Sequence, residues 1–195
     1  MPTPERSHRL DDVAARRQQG VVVLEDIHDP HNAEAVFRSC DAFGFQRVSL
    51  IFAEEQQFDP RRVGKLTSSS ANKWLDFAAH TSARACIEEL QRDGYEVIAT
   101  VAAGEAEDIS EAPLTAQRIA LMFGNEHRGL SDEAIVLADR RLTIPMAGMV
   151  QSLNLSVAAA LVLYEVTRQR RAAGIERYGL PPQEQAVLRQ WLAER

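Results

Sequence analysis

The sequence predicts an α/β fold, a mostly parallel sheet with helices on both faces. Three observations carry this. Apolar runs of strand length recur along the chain: "VVVLED" (21–26), "RVSLIF" (47–52) and "RIALMFG" (118–124). Between them lie longer helix-like stretches, two of them closed by glycine, at Gly44 and Gly94. The two signals alternate, and strands joined by helices pair in parallel. The 195 residues are enough for one substantial core and show no internal repeat and no long linker. Residues 1–195 are therefore expected to form a single domain, with an N-terminal helix at about 3–18 and a helical tail at about 175–195.

Each element has its own signal. Thr3 is placed to cap the first helix, Pro4 suits its first turn, and "RRQQG" ends it at Gly20. The strand 21–26 is β-branched and uncharged until its end. "HDPHN" is a turn, with Asn32 opening the helix that Gly44 closes. After strand 47–52, residues 53–73 are irregular, Ser-rich and interspersed with basic residues, and "KWLDF" reads as a short strand. A helix at 82–93 stops at Gly94, and "YEVIATV" is a strand. Residues 103–117 are the most loop-like stretch. Strand 118–124 leads to a short helix with Ser131 as its N-cap. "RRLTIP" is the next strand, followed by a helix from about 152 to 170 and an amphipathic helix after "LPP" at 180–182.

Hydrophobic content of 45% and charged content of 26% are those of a globular protein. The longest apolar run, 157–164, is far below the roughly 20 residues that span a bilayer. "MPTPERSHRL" lacks the apolar core of a signal peptide, so a cytoplasmic protein is expected. Cys40 and Cys86 fall in separate predicted helices without ligand spacing and read as reduced core thiols. The net charge of −6 is concentrated in residues 84–111, which hold eight acidic residues against two arginines. The rest of the chain is balanced. Its basic residues cluster at Arg6, Arg9, Arg16 and Arg17, at Arg61, Arg62, Lys65 and Lys73, and at Arg168, Arg170 and Arg171. Arginine suits phosphate because its planar fork bonds two oxygens at once. A general bias towards arginine would give the same count, with 20 of 22 cations arginine.

Ligands of open α/β sheets bind beyond the carboxyl ends of the strands. Unusual polar residues sit at such ends. "LEDIHDPHNAEAVFR" carries Asn32 and, six residues on, Arg38. "LMFGNEHRGLSDE" places Gly124, Asn125, Glu126 and Gly129 after an apolar strand. "IPMAGMVQSLNLSVAAALVLYEV" (144–166) runs through a chargeless loop into a helix that is apolar almost all round, yet opens with Gln151, Ser152, Asn154 and Ser156. Each has a plainer reading. Asn32 is a common helix cap, Arg38 a solvated charge, the glycines turn residues, and the serines and Asn154 partners for free helix amides. His28 and His31 have no Cys or third His nearby, and no metal is expected. Neither a dinucleotide glycine fingerprint, a P-loop nor a G-x-S-x-G elbow is present.

Together the segments resemble the SpoU/TrmH family of RNA ribose 2′-O-methyltransferases, part of the SPOUT superfamily. The resemblance rests on Asn32, Arg38 and Gly44 in "NAEAVFRSCDAFG", on G-x-E-x-x-G in "LMFGNEHRGLS", and on "IPMAGMVQSLNLSVA", which matches throughout. These motifs span residues 24–160. The opening "TPERSHRLDDVAARRQ" is similar to the N-terminal helix of the branch that methylates a D-loop guanosine in tRNA. What the resemblance implies is a C-terminal trefoil knot, a homodimer, and S-adenosylmethionine held by the knot loops. By carry-over, cofactor contacts fall to Gly124, Asn125, Glu126, Gly129, Ile144, Met146, Gly148, Ser152 and Leu153. Arg38 becomes the catalytic residue, with Asn32 orienting it or the ribose, and Glu126, Ser152 and Asn154 completing the pocket. RNA, most of all tRNA, would meet Arg6, Arg9, Arg16, Arg17, Arg38, Arg61, Arg62, Lys65, Arg168 and Arg170. His127 is a weaker candidate base, since the family pattern does not require it. The same chemistry on the wobble nucleotide or on rRNA, and a non-catalytic RNA-binding role, stay open.

Overall fold

The computed structural model describes residues 3–63 and 71–195. In chain order its elements are α1 (Pro4–Ala15), β1 (Gln18–Glu25), α2 (Pro30–Phe43), β2 (Phe45–Ile51), β3 (Asp76–His80), α3 (Ala83–Arg92) and β4 (Glu96–Thr100), then β5 (Glu107–Asp108), β6 (Ile119–Phe123), α4 (Asp132–Leu137), β7 (Arg140–Thr143), α5 (Leu155–Ala172) and α6 (Pro182–Ala193). The strands form one sheet in the order β3-β2-β1-β6-β4-β7-β5, and every pairing is parallel. The chain builds outwards from β1 to β3, then crosses to the other side of β1. The reversal of direction therefore lies between β1 and β6, where an open α/β sheet leaves a crevice.

Strand alternation divides the core. Val22, Leu24, Leu121 and Phe123 point to one face, where α2 and α5 cover them with Val36, Phe37, Val162 and Val166. Val21, Val23, Ala120 and Met122 point to the other, under Cys86, Ile87 and Leu90 of α3 and Ala134 of α4. All eight residues of β1 are buried, as a central parallel strand requires. Both cysteines are buried and free. The last helix returns to the first: Leu188 and Leu192 of α6 pack on Leu10 and Ala14 of α1.

Several expectations are corrected. The first helix stops at Ala15, and β1 starts at Gln18, three residues earlier than the apolar run. The reason is that the polar residues there are buried with partners. Gln18 donates to the Phe43 carbonyl at 2.6 Å and the Thr167 hydroxyl at 3.1 Å, and Gln19 donates to the Gly179 carbonyl at 2.9 Å. Asn32 does not open α2. Asp29 is its N-cap, accepting from the His31 amide at 2.9 Å, which leaves the Asn32 side chain for other work. The strand read from "KWLDF" lies later, at Asp76–His80, because Ala71–Lys73 is a 3-10 turn. The loop-like stretch 103–117 contributes β5, which pairs with β7.

The helix read as buried all round is not. Leu155, Ala159, Val162, Leu163 and Val166 of α5 face the core, while Val157, Leu161 and Tyr164 are 47%, 43% and 54% exposed. Two of the arginines assigned to RNA are also structural. Arg17 is buried and holds Asp41 by its side chain at 2.6 Å and its carbonyl at 3.0 Å. Arg170 is fully buried, donating to Gln18 at 3.2 Å, to the Gln19 carbonyl at 3.2 Å and to the Ala116 carbonyl at 2.7 Å, with the Tyr178 ring 4.8 Å from its guanidinium carbon. Burial pulls its pKa down to about 10, still far enough above neutrality to leave a cation inside the fold.

Candidate active site

Parallel strands bring all their carboxyl ends to one edge, and a cleft of about 380 Å³ opens there. Its floor is apolar, with Phe123 at the end of β6, Leu142 in β7, and Leu155 and Val162 of α5. Its rim comes from three places: 100–103 at the end of β4, 124–130 after β6, and 144–153 before α5. The expected cofactor residues Gly124, Asn125, Glu126, Gly129, Ile144, Met146, Ser152 and Leu153 all line it; Gly148 does not. The loop 100–103 went unassigned in the sequence because "VAA" carries no functional group, only backbone at a strand end.

Asn125 ties the second loop down. Its amide donates to the Asp26 carbonyl at 2.7 Å, and its oxygen accepts the His127 and Arg128 amides at 2.8 and 3.2 Å. Asn125 and Gly129 also exchange backbone hydrogen bonds at 3.0 and 2.9 Å. This closure brings Gly124 so near that a Cβ there would lie 2.1 Å from the Gly129 carbonyl carbon. Gly124 is thus required by the loop itself rather than by approach to a ligand. Gly129 turns the chain at φ +73°, a left-handed conformation that favours glycine.

Glu126 gathers the motifs. Its carboxylate accepts from the Asn32 amide at 2.8 Å, the His28 backbone at 3.0 Å and the Asp29 backbone at 3.3 Å. Burial pushes its pKa up, but these donors outweigh burial and hold the carboxyl below its ordinary value, so it stays charged. Asn32 in turn accepts from the Asn154 amide at 3.2 Å. The Asn154 oxygen caps α5, accepting from the Ser156 amide at 2.9 Å and its hydroxyl at 2.6 Å. Residues 94 and 122 positions apart are so joined in one chain of hydrogen bonds, Glu126–Asn32–Asn154.

The polar entrance to α5 divides its labour. Asn154 caps the helix, while Gln151 and Ser152 precede it and line the cleft. Arg38 does not line the cleft. It is half exposed on α2, 3.5 Å from Glu34. His127 is exposed at the rim, its ring centroid 5.8 Å from that of His28, and His28 lies 3.3 Å from Glu55. Two acids that sequence reading passed over hold the edge in place. Asp26, at φ +49°, accepts the amides of Ala53, Glu54 and Glu55 at 2.8, 3.0 and 3.1 Å. Glu25, buried, accepts from the Ser131 amide at 2.8 Å and its hydroxyl at 2.7 Å. Their signal was two consecutive acids ending an apolar strand.

Among the basic residues, Arg6, Arg9, Arg16, Arg61, Arg62 and Arg168 are exposed. Three already face local acids: Arg16 lies 3.1 Å from Asp12, Arg62 3.2 Å from Asp59, and Arg168 2.7 Å from Glu165. Lys65 lies outside the described residues. Among the described residues, no cluster of His, Cys, Asp and Glu is arranged to hold a metal, and no helix is long and apolar enough to cross a membrane.

The family model described as the SpoU rRNA Methylase family matches residues 19–164. The chain is 39% identical over 193 residues to the tRNA (guanosine(18)-2′-O)-methyltransferase of Thermus thermophilus, covering 97% of each. Its structure is similar to that of the A. aeolicus TrmH/SpoU tRNA modifying enzyme, with a TM-score of 0.82 and 31% identity, covering 97% of this chain and 96% of that one. It is also similar to the SpoU methyltransferase AviRb from Streptomyces viridochromogenes in complex with AdoMet, with a TM-score of 0.69 and 28% identity, covering 80% of this chain and 60% of that one.

Proposed function

The chain belongs to the SpoU rRNA methylase family, and from that premise we propose that it moves a methyl group from S-adenosylmethionine to the ribose 2′-hydroxyl of guanosine 18 in tRNA. The observation that carries this reading is the Glu126–Asn32–Asn154 chain, which unites the three motif segments beside the cleft. The family and the full-length relatives support the reaction class; the linkage supports these residues as the place.

The cleft fits the cofactor. It falls in the size range of small-molecule sites, with apolar walls for an adenosine ring and loop backbone to bond the ring edge. Glu126 at the rim keeps a negative charge, complementary to a sulfonium. Gly124, Gly129, Ile144, Met146, Ser152 and Leu153 would hold the cofactor, their loops wrapping it closely. When bound, S-adenosylmethionine supplies a methyl on an excellent leaving group, so the chain's task is to hold and deprotonate the hydroxyl.

Alignment of hydroxyl and methyl contributes most, up to about 7–11 kcal/mol in ideal cases. Arg38 is assigned an electrostatic role. A guanidinium stays protonated in proteins, so it suits bonding the neighbouring phosphate and stabilising the developing alkoxide rather than accepting a proton. A phosphate oxygen or water takes the proton. Asn32 acts through its hydrogen bonds, placing the Asn154 and Glu126 side chains at the mouth of the cleft.

The assembly belongs to the same reading. The chain works as one domain and as a homodimer, paired through the exposed stripe of Val157, Leu161 and Tyr164, with the β7–α5 segment threaded as a trefoil knot. The test is methylation of unmodified tRNA and rRNA with labelled cofactor, followed by nuclease mapping. Label at the D-loop guanosine is the expected result. Label at the wobble nucleotide or in rRNA would keep the chemistry and replace the substrate. Cofactor binding without label on either RNA would overturn transfer to both.

A further inference from the structure

The opposite edge of the sheet carries a second cleft, of about 460 Å³. It gathers the amino ends of the strands: Gly20 of β1, Gln46 and Arg47 of β2, Asp76 of β3, and Tyr95 just before β4. One wall is α6 with the turn before it, giving Leu180, Val187, Leu188 and Trp191. None of these residues belongs to the cleft at the carboxyl edge.

We propose that this amino-edge cleft is a binding site for a nucleobase. Three observations select that chemistry. First, the walls are apolar, and Val187 stands 70% exposed at the rim, a large side chain that no intramolecular packing has covered. Second, Gln46 is 5% exposed and its amide nitrogen donates to the Trp74 carbonyl at 2.7 Å, which settles its orientation. Its Oε1 is then a buried acceptor with no donor among the described residues. A buried acceptor without a donor is destabilising, and an N–H from a ligand offsets that cost. Third, the charge is wrong for phosphate. Among the described residues, Asp76 and Glu184 oppose a single lining cation, Arg47, and Arg47 already donates to the Tyr95 hydroxyl at 3.1 Å. A flat, uncharged ring with N–H donors meets all three conditions. It can come from a free nucleoside or from an unpaired base of a bound RNA.

The decisive experiment is calorimetric titration of the full chain with guanosine, adenosine, cytidine and uridine, with S-adenosylhomocysteine present to fill the other cleft. At least one nucleoside is expected to bind saturably at one site. Val187→Trp, which puts an indole across the cleft from an exposed position, should weaken that binding by more than about tenfold, with the thermal midpoint unchanged. Gln183→Trp, from the same rim, serves as a second blocking variant. A raised KM for tRNA with kcat unchanged in the blocked variants identifies the base as part of the RNA. An unchanged KM with nucleoside binding lost identifies a free nucleoside. The proposal is overturned if no nucleoside binds, if both variants bind nucleosides as the parent does, or if toluene binds as tightly as the best nucleoside. Nucleoside binding is read without methyl transfer, so failure of the proposed reaction leaves this result intact.

Discussion

At the scale of single residues, the site is defined by who donates to Glu126. Three donors converge on its carboxylate. In Glu126→Gln one of the two oxygens becomes an amide nitrogen that faces a donor. Because the side chain is only half buried, water replaces part of the loss, and destabilisation should stay near 1 kcal/mol by thermal melting. Misplacing Asn32 should cost transfer far more, on the order of a hundredfold in kcat. The pH dependence has a definite sign. The folded pKa of Glu126 is depressed, so its stabilisation is present above the ordinary unfolded value of about 4.3 and is lost as pH falls through the folded value. The difference in stability between parent and Glu126→Gln should therefore vanish in acid. Arg38 behaves differently, since it lies outside the cleft. Arg38→Ala should abolish transfer while cofactor affinity changes by no more than about twofold in calorimetry. Equal loss of cofactor affinity would place Arg38 in the cofactor pocket.

At the scale of elements, the cleft depends on two loops with different needs. The loop 124–130 is closed on itself, so Gly124→Ala forces a Cβ against backbone that cannot move away cheaply. A cost of about 1–3 kcal/mol is expected, with loss of cofactor binding. The entrance to α5 allows a cleaner separation. Asn154→Ala removes a helix cap and should lower stability by about 1 kcal/mol. Ser152→Ala touches no helix amide, so its thermal midpoint should match the parent while transfer falls. A matched drop in stability for both variants would assign Ser152 to the helix after all.

For the whole molecule, the outward stripe of α5 is the feature that a lone chain leaves unexplained. The Tyr164 and Phe43 rings, 6.2 Å apart, extend the apolar face beyond the helix. The proposed homodimer predicts that Leu161→Asp and Tyr164→Asp each yield a monomer in sedimentation equilibrium, without unfolding, because both side chains already lie at the surface. A dimer that survives both substitutions must pair elsewhere. Electrostatics at this scale is thinner than the arginine count suggested. Arg17 and Arg170 are inside, and Arg16, Arg62 and Arg168 already hold acids.

The sequence alone determined the alternation of strands and helices, the parallel sheet and the edge at which the motif segments meet. These are local quantities: apolar periodicity, glycine stops and strand-end polarity act within a few residues. It also carried Asn32, Glu126 and Asn154 as candidates. Only the tertiary structure decided what they do, because Asn32 reads as a helix cap until Asp29 takes that place and Glu126, 94 positions away, accepts its amide. The same reason explains the errors. Gln18, Arg17 and Arg170 look solvated in any local window, and they are buried because partners distant in sequence satisfy them: Thr167 for Gln18, Asp41 for Arg17, Gln18 for Arg170. A polar side chain is inside or outside according to whether a partner meets it there, and in this chain that is settled by partners distant in sequence.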